Sequence, residues 1–294
     1  MTEISVGLLE DLRGMAEGCR FAAVGRFSPG AYQRLPEEEA KLLTCVLDFA
    51  ELTATSDPVF ADIRSAAYRA FVVAYVEARS SDPAAGDAFY RSLSEDYPGA
   101  AESALVHSWA SLTTASLAFR EVAQDASQMT WQKCVELFEA TSAFLRGILP
   151  FLITLRRAAR GMEPFGAAVF ELSFAELVHD YSVLIQDDGG PLGVFQRLSE
   201  PGIFEAVAHG RLQPDAEEGV LRYVEAADEA QDRRFDLASF FIVGAAGSHL
   251  QHAYLAAIAA IGVMESGSPA AQALFPPVLA SAFSVAQGSR SPRN

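Results

Sequence analysis

From Ala238 to Met264 the chain runs twenty-seven residues without an Asp, Glu, Lys or Arg, yet His249, Gln251 and His252 stand in the middle of the run. A helix apolar on all sides belongs in a protein core or in a membrane. Imidazoles placed there need a partner, because an unsatisfied buried polar group costs roughly 1 to 3 kcal/mol. His249 and His252 fall one turn apart on one face, and the next positions along that stripe, Ala245 and Ala256, are small. The stripe is therefore expected to leave room for a metal, a cofactor or a substrate. A membrane span needs about 20 apolar residues, so length alone permits one here. Two His and a Gln near its midplane would be costly in lipid, and a buried core helix is the expectation.

Breakers cut the rest into segments of helical length, and no run shows the alternation bounded by turns that marks strands. The expectation is an all-α multi-helix bundle: one helical domain over residues 1–294, with an N-terminal helical lobe over 1–125 and a metal-binding core over 130–265. The 50% hydrophobic content is enough to bury such a core. Expected helices run over Ile4–Val24, Glu37–Leu52, Val59–Arg79 after the cap Ser56-Asp57-Pro58, Ala100–Ala123, Trp131–Arg160 with a kink or break at Pro150, and Pro164–Gln186. Asp82-Pro83 repeats the start signal, Asp215 with Glu218 reads as a capping box for a helix through Arg233, and Asp236 caps the uncharged helix. The last thirty residues are expected to pack loosely and fray.

Charge and cysteine usage narrow the function. With 22 basic against 38 acidic residues the net charge is −16, which disfavours nucleic acid. Cys19, Cys45 and Cys134 lack metal or disulfide spacing and fit structural thiols in a reducing compartment. The acidic N-terminus carries no export signal. A cytoplasmic protein is expected, with a small-molecule substrate, no membrane partner and room for a homodimer.

Glu176 and His179 form Glu-x-x-His, the spacing by which one helix gives a carboxylate and an imidazole to a metal pair. Phe174, Leu177, Val178, Val183 and Leu184 around them suggest a buried helix. Glu218, Glu225, Glu229 and Asp232 fall near one stripe of the next expected helix, with Glu225 the first choice for an inward carboxylate and Glu229 the alternate. The candidate metal set is Glu176, His179, Glu225, His249 and His252.

The order Glu-x-x-His, an isolated Glu about fifty residues on, then a His-bearing helix resembles the heme-oxygenase-like dimetal oxidases over about Phe174 to Tyr254. The resemblance implies a heme-oxygenase-like bundle with extra N-terminal helices, two iron ions, dioxygen as co-substrate, and oxidation of a small amino acid, amine or fatty acid in specialised metabolism. The family's last helix carries an Asp with its His, where this chain has His249-x-x-His252, and Asp180 is a substitute ligand. One of Arg156, Arg157 and Arg222 would then hold a substrate carboxylate.

Two other chemistries start from the same residues. ELVHDYSVLIQDD resembles the first aspartate-rich region of trans-prenyl diphosphate synthases, which implies magnesium at Asp187 and Asp188 and phosphate at Arg233 or Arg234. A heme protein with His249 or His252 as axial ligand, or a helical scaffold without catalysis, completes the alternatives.

Overall fold

The computed structural model describes residues 36–95, 105–123, 131–163, 167–185, 190–215, 217–225 and 228–288. In chain order the helices are α1 Glu37–Ala54, α2 Pro58–Ser81, α3 Pro83–Glu95, α4 Leu105–Ala123, α5 Trp131–Ala159, α6 Phe174–Ile185, α7 Gly193–Arg197 and α8 Pro201–Ala208. Strands β1 Leu212–Asp215, β2 Val220–Glu225 and β3 Asp228–Asp236 follow, then α9 Leu237–Glu265, α10 Pro269–Ala273 and α11 Pro277–Gly288. A 3₁₀ turn spans Ala167–Glu171. The protein is a mostly helical bundle. The expected helix at Ile4–Val24, the Asp187-Asp188 pair and Cys19 lie outside the described residues.

The uncharged helix α9 is the axis of the bundle, packed against α1, α2 and α5 and touching α4. Its small residues serve those crossings. A Cβ at Gly247 would collide with Thr141 and stand 2.7 Å from Leu112 Cδ1, and one at Gly262 would stand 2.9 Å from Leu42 Cδ1. Thr141 Oγ1 donates to the Gly244 carbonyl at 2.9 Å, tying α5 to α9 where the backbones come close. Tyr254 meets Phe71, Trp109 and Phe144. One hydrophobic core, from Leu43 to Ala282, joins helices from both halves of the chain. Among the described residues α5 is the one helix long and apolar enough to cross a membrane, and it is mostly buried within the protein.

Start signals read from sequence hold at three helices. Asp57 Oδ1 accepts from the Val59 N–H at 2.9 Å ahead of Pro58. Asp82 Oδ1 accepts from Ala84 and Ala85 at 3.0 and 3.2 Å, and Asp236 Oδ2 accepts from Ser239 at 2.6 Å. Helix α5 continues through Pro150 without a break and ends ahead of Gly161, whose φ of +67° closes the end as expected. Three expectations are corrected. The segment expected as one helix from Pro164 divides into the 3₁₀ turn and α6, which begins after Ser173. The described part of the C-terminal stretch, as far as Gly288, is seated rather than frayed: Phe275, Leu279 and Ala282 are buried, and Tyr68 Oη donates to the Leu279 carbonyl at 3.4 Å.

The largest correction is the segment from Asp215 to Arg233, expected as a helix and found as an antiparallel meander in the order β1-β2-β3. Asp215 Oδ1 accepts from the Glu218 N–H at 3.1 Å, the bond a capping box would use, but here it closes a turn that leads back into β2. Gly219 turns the chain at φ +68°. Leu221 and Tyr223 are buried while Val220, Arg222 and Val224, which alternate with them, are partly exposed, a period of two that three β-formers support. The register pairs Leu221 with Phe235 and Tyr223 with Arg233, and a bulge falls between Val224 and Glu225. The acidic stripe therefore does not exist as a helical face. Glu218 instead meets Arg222 at 3.1 Å and Arg234 at 3.0 Å.

Candidate functional site: the histidine niche of α9

Helix α6 shows what became of Glu-x-x-His. Its buried face is Phe174, Leu177, Tyr181, Leu184 and Ile185, which leaves Glu176 and His179 exposed. Glu176 Oε2 accepts from the Ser173 N–H at 2.8 Å, and Ser173 Oγ accepts from the Glu176 N–H at 3.3 Å. This reciprocal pair is a capping box, and its hydrogen bonds hold the Glu176 carboxyl below its ordinary range. Glu225 lies in β2 beside the bulge, and its side chain, like that of Glu229 in β3, is outside the described ones. Among the described residues no three His, Cys, Asp or Glu side chains form a group able to hold a metal ion. The described donors thus do not assemble the five-residue set; the two histidines of α9 are the part that stays together.

His249 and His252 are half-buried, and the Nδ1 atom of each is buried without a hydrogen-bond partner. The space expected beside His249 is taken by Phe60 of α2, whose ring stacks on the imidazole at 4.3 Å between centroids and 17° between planes. Gln251, between the two histidines, faces the other way and is satisfied: its Nε2 donates to the Trp109 carbonyl at 3.0 Å and to Thr113 Oγ1 at 3.3 Å. His252 opens onto a cavity of about 510 Å³ between α1 and α9, lined by Lys41, Thr44, Cys45, Asp48, Phe49, Leu52 and Leu255 as well. That volume lies in the range of small-molecule pockets.

The electrostatics of the niche are cationic. Arg64 of α2 is only 4% exposed. Its Nη1 donates to the Leu52 carbonyl at 2.8 Å and to the Ser56 hydroxyl, while its Nε is buried with no partner. Burial and the charge of Arg120 push its guanidinium down to about 10. Burial pushes the His249 imidazole down to about 3, with Arg64, His252 and Arg120 adding to the fall. His252 is lowered by burial and by the same two arginines, against the Ser248 carbonyl one turn back. Both imidazoles are therefore neutral at neutral pH. They can accept or donate a hydrogen bond or offer a lone pair, but His249 is too weak a base for efficient proton abstraction near pH 7. Cys45 on the cavity wall is held as a thiol, its value raised by burial and by Asp48.

The arginines expected to hold a substrate carboxylate are engaged elsewhere. Arg156 pairs with Glu77, Arg157 Nε donates to the Glu163 carbonyl at 2.8 Å, and Arg222 meets Asp215 at 3.0 Å. Arg64 and Phe60, which shape the niche, were missed in the sequence. The signal was present for Arg64 in the run Ala61-Asp62-Ile63-Arg64-Ser65-Ala66-Ala67, where a guanidinium interrupts a helix of core character. Comparison with protein-family models, with curated proteins and with solved structures finds no match to this chain.

Proposed function

We propose that this chain binds a small organic molecule at the histidine pair of α9, in the cavity between α1 and α9, with His252 as the polar contact and Phe49, Leu52 and Leu255 as the apolar wall. The observation that carries the reading is the pair of buried Nδ1 atoms without partners, one of them on a residue that lines the cavity. A core helix that leaves His249 without a hydrogen-bond partner and His252 with only the Ser248 carbonyl one turn back is stable only at a cost, and a ligand recovers that cost. The neutral state of both rings suits hydrogen bonding to a bound molecule better than acid–base work.

A dioxygen-dependent iron oxidase is the second reading, favoured by one observation: neutral imidazoles one turn apart are in the form that ligates metal. Iron bound there would supply dioxygen activation. His249 and His252 would be its nitrogen ligands, and its carboxylates would have to come from side chains such as Glu225, because Glu176 is spent on the cap of α6. Arg64 and Arg120 oppose a dication in the same place, so this reading ranks second. Ferrous iron loading without oxygen, followed by metal analysis, separates the two. Retention of no iron, together with stabilisation by small organic molecules, fits the first reading. About two irons per chain, lost in His249→Ala, would establish the second.

A further inference from the structure

The niche holds a buried guanidinium that no carboxylate among the described residues pairs; its bond to the Leu52 carbonyl sets it at the negative end of α1, while Lys41 and Asp48 stand on the cavity wall. Arg64 is buried in a chain whose net charge is −16, yet its hydrogen bonds go to a carbonyl and a hydroxyl, and no carboxylate among the described residues pairs with it. Buried charges in proteins are as a rule paired, because the desolvation of an isolated ion is expensive. Here the charges that act on Arg64 and on both imidazoles are other cations, Arg120 on Arg64, and Arg64 ahead of Arg120 on the histidines. The geometry ties this charge to the cavity. Arg64 grips the carbonyl of Leu52, and Leu52 lines the same cavity as His252. The arginine thus stands directly behind the cavity wall, with the buried Nε donor unused.

We infer that the ligand of this site is an organic carboxylate with an apolar tail, its carboxylate drawn to His252 by the charge of Arg64 behind the Leu52 wall and its tail laid against Phe49, Leu52 and Leu255. This rests on the small-molecule reading of the α9 site and adds the ligand's charge and shape. An anion in the cavity supplies a counter-charge to Arg64 across the wall and an acceptor or donor partner for His252. A metal ion would add a third positive charge. An apolar tail matches the Phe and Leu wall, and the volume admits a chain of about eight carbons.

The test compares octanoate, octanamide and inorganic phosphate as ligands of the full chain by calorimetric titration, with Arg64→Met and Arg120→Gln as variants. Octanoate is expected to bind about tenfold or more tightly than octanamide, since a hydrogen bond to a charged group is the stronger kind. Arg64→Met is expected to remove that preference and to melt at or above the parent temperature, because it deletes an uncompensated buried charge. Arg120→Gln, at an exposed position, keeps the fold and is expected to weaken octanoate about threefold while leaving octanamide unchanged. Equal binding of octanoate and octanamide would overturn the anion inference and leave the small-molecule site standing. Binding of phosphate but not octanoate would overturn the tailed carboxylate. No binding of any of the three would overturn both readings.

Discussion

Helix α6 turns Glu176 and His179 to solvent, whereas α9 buries the Nδ1 atoms of His249 and His252 against α1 and α2. The two pairs have the same spacing of three residues and opposite fates. What separates them is the rest of each helix. In α6 the apolar residues gather on one face and push the polar pair outward, where Ser173 recruits Glu176 into a cap. In α9 apolar residues surround the axis and neighbours cover most sides, so the histidines take its least covered stripe, half-buried with Ala245, Ser248 and Leu255. The same spacing leaves a pair in solvent on a helix with a free face and half-buried on a helix packed on most sides.

The sharpest way to break this contrast is to enlarge a small residue on each helix. Gly247→Val on α9 drives a side chain into Thr141 and Leu112, with an expected loss of about 3 kcal/mol in urea unfolding. Ala175→Val on the exposed side of α6 is expected to stay within about 0.5 kcal/mol. Similar losses at both positions would mean that α9 is not the tightly packed axis described here.

Smaller effects sharpen the comparison. Ser173→Ala removes one arm of the α6 cap and is expected to cost about 1 kcal/mol without changing any binding at the cavity. His249→Phe keeps the stack on Phe60 and deletes a buried atom with no partner, so a gain of about 1 kcal/mol is expected, with binding at the cavity weakened. A destabilised His249→Phe protein would show that the imidazole has a structural partner after all.

The same variant carries a pH signature. The His249 pKa falls from the ordinary 6.5 to about 3 in the folded protein, so between those values the unfolded chain takes up a proton that the native state refuses. Stability is therefore expected to decline as pH falls from about 6.5 towards 3, with His252 acting in the same direction. His249→Phe is expected to flatten part of that decline in unfolding curves at successive pH values. An unchanged slope would place the titrating group elsewhere.

Much of the helical frame was legible because its signals are local. Asp57, Asp82 and Asp236 each cap the helix that follows, and the absence of charge in α9 announced a core helix. The meander was misread because Asp215 and Glu218 make the same hydrogen bond in a turn as in a helix start, and Glu, Ala and Arg around them favour helices. Only the alternation of Leu221 and Tyr223 with their neighbours, after Gly219, carried the strand signal, and it spans five residues. The histidines of the site were legible for the reason that made α9 legible. Arg64 and Phe60 were not, because they come from a helix nearly two hundred residues earlier and meet the histidines only through tertiary packing.

The most direct test of the account is nitrogen-detected NMR of the imidazole side chains during titration with octanoate. The account predicts that the resonances of His249 and His252 move with saturation while His179 stays in place. Movement of His179 with His249 and His252 unchanged would put the working site on α6 and contradict the account.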